Sequence, residues 1–271
     1  MTANKMTSQL AMLCTDMKPN DPRFLDLLAS DRWMAERKYD GERALISVSR
    51  DGVVEWRSRS GQQFNWRRHP GWASFHRRAC ELRLDRDVVM DCEACADGTV
   101  VIFDLPRSLI SGPLPLRERL YALDYVTRQL GATASRRPDR AFTMVEKLRL
   151  FDRMVTDGHE GIVLKDLAST YQGGRSKSWI KVKITATADL YVMWLEPTRC
   201  KLFGWKDDKL AEFGGCGIPA KLRIIDGTMV EVEYLYVSDK GRLVQPRIVR
   251  VRPDKTIPDD FDGLRTSSKN H

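Results

Sequence analysis

Alternating apolar and polar residues predict β-strands in seven segments of the first two thirds of the chain. The dipeptides Asp51-Gly52 and Asp97-Gly98 separate neighbouring segments, and this pair is typical of tight hairpin turns. A basic, glycine-rich stretch at 171–177 separates the last two segments and is predicted to be a loop. The predicted strands are residues 33–38, 43–49, 53–57, 88–96, 99–105, 161–165 and 179–184.

Apolar residues spaced three or four apart predict helices around these strands, and we interpret their apolar stripes as core. Gly131 and Gly158 follow the last two periodic stretches, where glycine commonly ends a helix. The last helix is expected to turn Val145, Leu148, Phe151 and Val155 inward. The predicted helices are residues 22–29, 71–84, 116–130 and 142–156.

The pattern changes after residue 185, where short strand-like runs alternate with glycine turns. Several such strands within a short length are typical of a small barrel. We therefore predict an α+β protein with two domains. Residues 1–185 would form mainly antiparallel sheets with flanking helices, and residues 186–271 a small β-barrel. The segment 199–220 is either an ordinary barrel hairpin or an extra contact loop.

The composition is that of a folded globular protein, because 42% of the 271 residues are hydrophobic. The formal net charge is +8, although the chain also carries 37 acidic residues. This balance is typical of a protein with one basic face for nucleic acid or nucleotide phosphates. A merely basic surface is the alternative.

The chain contains no stretch near the ~18 apolar residues of a membrane span. Residues 1–16 lack the apolar segment and cleavage site of a secretory leader, so we expect a cytoplasmic protein. Of the six cysteines, only Cys92 and Cys95 form a C-x-x-C pair. Without a second pair at zinc-finger spacing, we expect buried, reduced thiols.

The segment Lys38-Tyr39-Asp40-Gly41-Glu42-Arg43 places a lysine, an aspartate, a glycine turn and an arginine between two predicted strands. An unprotonated lysine amine can attack phosphorus, which requires nearby cations or desolvation to favour the free amine. Asp40 could orient Lys38 or hold a metal, and Arg43 could grip a phosphate with two hydrogen bonds. The alternative is a surface turn of mixed charge.

Four further stretches place charged or aromatic residues where the strand pattern favours apolar ones. Charged groups inside sheets need partners, and a metal-bound triphosphate would satisfy both carboxylates and lysines. Each stretch alone is also compatible with a solvated strand face. The stretches are Ser58-Arg59-Ser60-Gly61, Asp91-Cys92-Glu93 with Phe103-Asp104, Glu160 to Lys165, and Trp179 to Lys183.

Taken together and in this order, these stretches resemble the nucleotidyltransferase motifs of ATP-dependent DNA ligases. The resemblance covers nearly the whole chain and is greatest to compact two-domain bacterial or phage enzymes. It implies a nucleotidyltransferase (adenylation) domain at 1–185 and an OB-fold at 186–271. The sequence departs from the family pattern at Cys92, where the Asp-Gly-Glu triplet usually has glycine.

The resemblance assigns each residue a role. Lys38 would carry AMP, Glu36 would read the adenine amino group, and Phe103 would stack on adenine. Further nucleotide contacts would come from Arg43, Arg59, Glu93, Lys181, Lys183, Arg252 and Lys255. Glu160 would be a metal carboxylate, with Asp40 as a second candidate metal ligand. Arg43, Arg59, Arg175 and Lys177 would contact nucleic acid.

The implied activity is the sealing of 3′-hydroxyl/5′-phosphate nicks in duplex DNA through a lysyl-AMP and a DNA-adenylate. ATP and Mg²⁺ would be required, with Mn²⁺ as a substitute, and the protein would act as a monomer on nicked DNA in repair, replication or recombination. Arg252 and Lys255 would assist the first step by closing over ATP about a hinge near residue 185. The alternatives are an RNA ligase, a capping guanylyltransferase, or a non-catalytic OB module that binds nucleic acid.

Overall fold

The computed structural model describes residues 11–107, 112–131 and 135–265. The chain divides into two compact units. The first comprises Met1–Asp152 with Gly161–Val182, and the second Arg153–Glu160 with Lys183–His271. The assignment of domains to residues 1–185 and 186–271 stays a prediction, and residues 1–10, on which the leader argument depends, lie outside the described ranges.

The first unit contains ten strands and four helices in its described part, with the last helix and the last strand continuing into the second unit. In chain order they are β1 (Met12–Met17), α1 (Arg23–Ala29), β2 (Trp33–Arg37), β3 (Gly41–Val48), β4 (Val54–Ser58), α2 (Pro70–Cys80), β5 (Val88–Cys95), β6 (Val100–Arg107), α3 (Leu116–Leu130), β7 (Ser135–Arg136), β8 (Arg140–Ala141), α4 (Met144–Thr156), β9 (Gly161–Asp166) and β10 (Gly174–Lys183).

Two five-stranded sheets organise this unit. One has the order β1-β10-β9-β2-β8 and the other β4-β3-β5-β6-β7. Most neighbouring strands whose register is defined run antiparallel, whereas β1 runs parallel to β10 and β7 parallel to β6. The predicted α+β class is therefore confirmed.

The core of the first unit lies against the second of these sheets. Trp56 contacts Phe64 and Phe75 at ring-centroid distances of 5.5 and 5.6 Å, and Phe64 lies 5.5 Å from Trp72. Helix α2 supplies Trp72 and Phe75 because its apolar residues recur at helical spacing. The His69 side chain caps this helix by accepting a hydrogen bond from the Gly71 N–H at 3.1 Å.

The predicted inward face of α4 was wrong at two positions, since Val145 is 55% and Val155 45% exposed. Lys147, Leu150 and Met154 are buried instead, so the buried face is rotated about the helix axis. The rotation is compatible with burial of a lysine because the Lys147 amine donates to the Ser30 carbonyl at 2.8 Å. Burial lowers the pKa of Lys147.

Several strand assignments also differ from expectation. Strand β1 was not predicted, and β10 begins at Gly174, so Arg175 and Lys177 lie on a strand and not in a loop. In the second unit, β12 (Arg199–Lys206) was not assigned as a strand of its own, although the hairpin interpretation of segment 199–220 allows for it. Both β1 and β12 mix polar with apolar residues, which obscures the alternation that marks a strand.

The second unit is built on an antiparallel sheet in the order β13-β12-β11-β14-β15. Its strands are β11 (Ala186–Met193), β12 (Arg199–Lys206), β13 (Lys209–Gly217), β14 (Met229–Tyr234) and β15 (Arg247–Val251). The segment 199–220 thus contains the β12–β13 hairpin, as one of its two interpretations expected.

The predicted barrel is not closed by its named strands. Among the residues that the structure describes, no ladder joins the edge strands β13 and β15. A backbone bond from the Leu243 N–H to the Phe213 carbonyl, 2.8 Å long, brings the segment before β15 to β13. The sheet therefore curls towards closure without a continuous ladder.

Two expectations concern cysteines and membranes. Cys92 and Cys95 lie buried on β5 as free thiols. Within the described ranges, no helix is long and apolar enough to span a membrane.

Candidate active site

A cavity of about 520 Å³ in the first unit is lined by most of the site residues predicted for that unit. Both sheets contribute, because the lining residues come from β1 to β6, β9 and β10 as well as from loops. The predicted residues that line it are Glu36, Lys38, Arg43, Arg59, Glu93, Phe103, Arg175 and Lys181. Of the other residues predicted in this unit, Asp40 and Lys177 lie outside its described lining.

Lys38 immediately follows β2, in a loop whose backbone is fixed at its start. The Lys38 N–H donates to the Gly161 carbonyl at 2.9 Å, and the Arg37 N–H donates to the Asp139 carbonyl at 3.1 Å. At the other end of the loop, a Cβ on Gly41 would lie 2.6 Å from the Ala94 carbonyl oxygen. Glycine is therefore required where β3 begins beside β5, and the loop presents Lys38 to the cavity from a rigid frame.

Arg43 holds the cavity wall together through a buried carboxylate. Its Nε and Nη2 lie 2.5 and 2.7 Å from the two oxygens of Asp91, and Nη2 also donates to the Met12 carbonyl at 3.1 Å. The Tyr171 hydroxyl donates to Asp91 at 2.6 Å. Burial lowers the pKa of Arg43, but the ion pair with Asp91 more than offsets it and the net pKa is raised. The two hydrogen bonds that we predicted Arg43 to donate to a phosphate are donated to Asp91 in this structure.

Cys92 occupies the position where the family pattern has glycine, and its surroundings explain why a side chain fits there. It alternates with Asp91 and Glu93 along β5, so it points into the core while Glu93 lines the cavity. Burial raises the pKa of the Cys92 thiol well above its usual range, which keeps the thiol neutral. A cysteine in place of the usual glycine therefore does not fill the cavity.

Phe103 and Trp179 meet edge to face at the cavity, with ring centroids 6.1 Å apart. Two cations lie against these rings. The Arg43 guanidinium carbon is 4.4 Å from the Phe103 centroid, and the Lys165 amine is 4.2 Å from that of Trp179. Trp179 and Lys165 were included in the sequence analysis only as members of two charged stretches, and neither was assigned a role.

Glu36 lies in a buried cluster of charges. Its Oε1 accepts from Arg140 Nε at 3.0 Å, and its Oε2 is paired with the Lys165 amine. Both oxygens of the predicted adenine reader are thus already bound to cations. Sequence reasoning missed this cluster, because residues 36 and 140 are 104 positions apart and meet only through the sheet register.

Strand β10 and the turn after β4 supply the exposed cations of the first unit's site. Lys181 Nζ lies 3.0 Å from Asp16 Oδ1, and Arg175 donates to the Cys14 carbonyl at 3.0 Å. Arg59 is exposed in the turn that follows β4, whose geometry is set by Gly61 at φ +81°. Lys177 is exposed on β10.

The remaining predicted residues belong to the second unit. Glu160 is buried, and its Oε1 lies 3.1 Å from Lys183 Nζ. Arg252 is held by three carboxylates: Nη1 lies 2.9 and 3.0 Å from the Asp189 oxygens and 3.4 Å from Glu231, and Nη2 lies 2.8 Å from Asp254. The hydrogen bonds that Arg252 donates to Asp254 raise the pKa of Arg252 and lower the pKa of Asp254 to about 2.

Glu160 and Asp40 are the residues that the sequence predicts to hold a metal ion. In the part of the chain that the structure describes, no group of three or more His, Cys, Asp or Glu side chains is placed to hold a metal ion. Neither Glu160 nor Asp40 is therefore part of such a group. One carboxylate fits Mg²⁺ if the ion takes its other oxygen ligands from nucleotide phosphates and water, as Mg²⁺ commonly does.

Comparison with known proteins gives related sequences and folds. The chain is 30% identical over 171 residues to a probable DNA ligase of Mycolicibacterium gilvum, covering 57% of this chain and 32% of that relative. The chain thus spans about a third or less of the length of the first curated relatives it matches.

Solved structures share the fold. A structure from a study of DNA binding with a minimal scaffold by Lig E DNA ligases aligns with TM-score 0.65 and 17% identity, covering 90% of this chain and 99% of that one. A mycobacterial DNA ligase D complexed with ATP and MES aligns with TM-score 0.56 and 20% identity, covering 97% and 99%.

A sequence model of one family matches most of the first unit. It is described as the ATP dependent DNA ligase domain, and it matches residues 11–105 and 99–183, which together exceed half of the chain. The match includes the loop of Lys38, the cavity lining and strand β10. The chain therefore belongs to the ATP-dependent DNA ligase domain family.

Proposed function

We propose that this protein is an ATP-dependent DNA ligase that seals nicks between a 3′-hydroxyl and a 5′-phosphate in duplex DNA. The observation that carries the proposal is the cavity of the first unit. It brings a lysine on a rigid loop together with a carboxylate, an aromatic ring and basic side chains, namely Lys38, Glu93, Phe103, Arg59 and Lys181. A nucleoside triphosphate needs this combination of groups.

In the first proposed step, Lys38 Nζ attacks the α-phosphorus of ATP. A P–N bond forms, the P–O bond to pyrophosphate breaks, and the amine proton passes to solvent. Lys181 and Lys183 are the cations proposed to hold the α-phosphate, and Glu93 would bind the ribose hydroxyls. Catalysis here consists mainly of positioning and charge stabilisation, as in other phosphoryl transfers.

In the second step, an oxygen of the DNA 5′-phosphate attacks the same phosphorus, so a P–O–P bond forms and the P–N bond breaks. The 3′-hydroxyl then attacks the activated 5′-phosphate, which forms the phosphodiester and releases AMP. Arg59, Arg175 and Lys177 are proposed to contact the DNA phosphates. Arg43 would contribute by holding the cavity lining in place, since its Nε and Nη2 donate hydrogen bonds to Asp91.

Mg²⁺, or Mn²⁺ in its place, would offset negative charge on the phosphates when bound, with Glu160 and Asp40 as the carboxylates proposed to hold it. The fold likeness to the Lig E and ligase D structures and the family match support the activity. The match covers 32% of the length of the Mycolicibacterium gilvum relative, so the activity of the whole protein is part of the proposal.

The proposal is tested by incubating the protein with ATP, Mg²⁺ and a labelled duplex that carries one nick. We expect sealing with a 5′-phosphate and none with a 5′-hydroxyl, because AMP must be transferred to a phosphate. Sealing of nicked RNA alone would select the RNA-ligase alternative, and preference for GTP the capping alternative. Binding of the duplex without sealing or AMP uptake would select the alternative of a non-catalytic protein that binds nucleic acid.

Arg252 is predicted to act in the first step only. Replacing Arg252 with alanine should slow AMP uptake on the order of a hundredfold, because it removes a cation proposed for the departing pyrophosphate. Sealing of a nick that already carries the 5′-adenylate should change far less. Both rates are measured by quenched-flow assays on the same preparation.

Arg247→Ala is the matched control, since Arg247 also lies on β15 and pairs with a different carboxylate, Glu233. It should leave both rates near those of the unsubstituted chain. Equal losses in the two assays for Arg252→Ala would rule out a role confined to the first step. The same test applies to Lys255, whose amine lies 3.5 Å from Asp189.

A further inference from the structure

Lys165 is a buried cation with no part in the chemistry described above. It lies on β9, is 2% exposed and lines the same cavity as Lys38. Its amine is paired with the Glu36 carboxylate and donates to the Phe103 carbonyl at 3.2 Å. The amine also lies 4.8 Å from the ring centroid of Phe103 and 4.2 Å from that of Trp179.

The sheet register explains why these charges meet. Arg140 on β8 is directly opposite Glu36 on β2, so their side chains share one face of the sheet. On the other side, Glu36 pairs with Val163 of β9, and Lys165 is two residues further along. Lys165 therefore lies diagonally across from Glu36 on that same face, within reach of a long side chain.

The arrangement leaves the Glu36 carboxylate little freedom. An isolated buried charge is strongly unfavourable, so each member of the cluster needs the others in place. Oε1 is held by Arg140 and Oε2 by Lys165, which fixes both the position and the plane of the carboxylate. Each carboxylate oxygen keeps a lone pair beyond the one used, so Glu36 can still accept a hydrogen bond.

Lys165 also connects the Glu36 carboxylate with the aromatic rings of Phe103 and Trp179. The backbone bond to Phe103 and the contacts with two ring faces place one ammonium group against both features of the cavity. A cation on a ring face restrains that ring, and a bonded carbonyl restrains the strand that carries it. Phe103 and Glu36 are the two groups assigned to the nucleobase.

We propose that Lys165 is a positioning residue for the nucleobase, because it fixes the direction in which Glu36 accepts a base amino group and the place of the Phe103 ring. The inference rests on the proposed function and deepens it: Lys165 sets affinity for ATP and preference for ATP over GTP, which lacks an amino group at the equivalent position. Lys165 takes no part in bond making.

The test measures the initial rate of AMP uptake against ATP concentration for Lys165→Met and Lys165→Arg. For Lys165→Met we expect KM for ATP to rise about ten- to a hundredfold, the effect of losing one charged hydrogen bond. The rate at saturating ATP should stay within about twofold, and the ATP/GTP preference should fall. Lys165→Arg keeps the cation and should recover most of the affinity.

Lys147→Met is the matched control. Lys147 is also a fully buried lysine of the first unit, and its amine donates to the Ser30 carbonyl away from the cavity lining. It should leave KM for ATP unchanged. A similar rise in KM for Lys147→Met would show a general effect of losing a buried lysine and would overturn the inference.

A Glu36→Gln background shows whether Lys165 acts through Glu36. With the carboxylate charge removed, Lys165→Met should raise KM by a clearly smaller factor than in the unsubstituted chain, because coupled residues are not additive. A full and independent effect in both backgrounds, or a loss in the saturating rate with KM unchanged, would contradict the assignment.

A titration of ATP against Lys38→Ala protein separates this inference from the proposed function. We expect Lys165→Met to weaken ATP binding in that background by the factor seen in KM. If the unsubstituted chain takes up no AMP, the proposed function fails, and the titration still measures base positioning. If AMP uptake is normal and neither KM nor the dissociation constant changes, the inference about Lys165 alone fails.

Discussion

Replacing Lys38 with alanine is expected to abolish AMP uptake from ATP, with a loss of several orders of magnitude. The reason is that the amine forms the covalent bond, and the loop around it is fixed by backbone contacts that the substitution leaves intact. Removal of a nucleophile is among the largest single effects in catalysis. The measurement is incorporation of labelled AMP into the protein at saturating ATP.

Two controls accompany this variant. Lys38→Arg keeps the charge but offers no comparable nucleophile, so it should be equally inactive. Lys18→Ala changes an exposed lysine outside the cavity lining and should retain full uptake. Sealing of a pre-adenylylated nick should survive in Lys38→Ala to a much greater degree than uptake. Substantial AMP uptake by Lys38→Ala would place the nucleophile elsewhere.

Replacing Arg119 with methionine is expected to lower the free energy of unfolding by about 3–5 kcal/mol, the usual effect of breaking a buried ion pair from one side. Arg119 is 2% exposed, and its Nε and Nη2 lie 2.7 and 2.8 Å from the oxygens of fully buried Asp104. Its Nη1 also donates to the Leu114 and Ser169 carbonyls. The variant leaves the buried Asp104 side chain without its guanidinium partner.

Urea denaturation measures this effect, with Arg23→Met as the control. Arg23 forms a comparable two-bond pair with Asp21, but its side chain is 71% exposed, so its loss should change the free energy of unfolding far less than loss of Arg119. Similar values for the two variants would show that burial does not determine the contribution of the Arg119 pair.

The sequence predicted those features that depend on local pattern. Hairpin turns at Asp51-Gly52 and Asp97-Gly98 were located because glycine there takes positive φ, observed at 82° for Gly52 and 88° for Gly98. Helix α3 was predicted with its observed bounds, since its apolar spacing is regular and Gly131 ends it. The position of Lys38 directly after β2 followed from the same patterns.

Features that depend on long-range pairing were not predicted. Strand β1 exists through its parallel pairing with β10, more than 150 residues away, and its own alternation is weak. The partners of Glu36 lie on β8 and β9 and meet it only once the sheet register is set. For the same reason, the sequence indicated that Arg43 binds an anion but not that this anion is Asp91.

The central claim is that Lys38 forms a covalent bond to AMP that nicked DNA then discharges. The most direct test is the intact mass of the protein after incubation with ATP and Mg²⁺, followed by a chase with nicked duplex DNA. Protein already carrying AMP after purification is first discharged with pyrophosphate, so that uptake can be measured. We predict the gain of one AMP, located on Lys38, and its loss in the chase as the nick is sealed. No gain of AMP, or AMP that persists through the chase with DNA, would contradict the account.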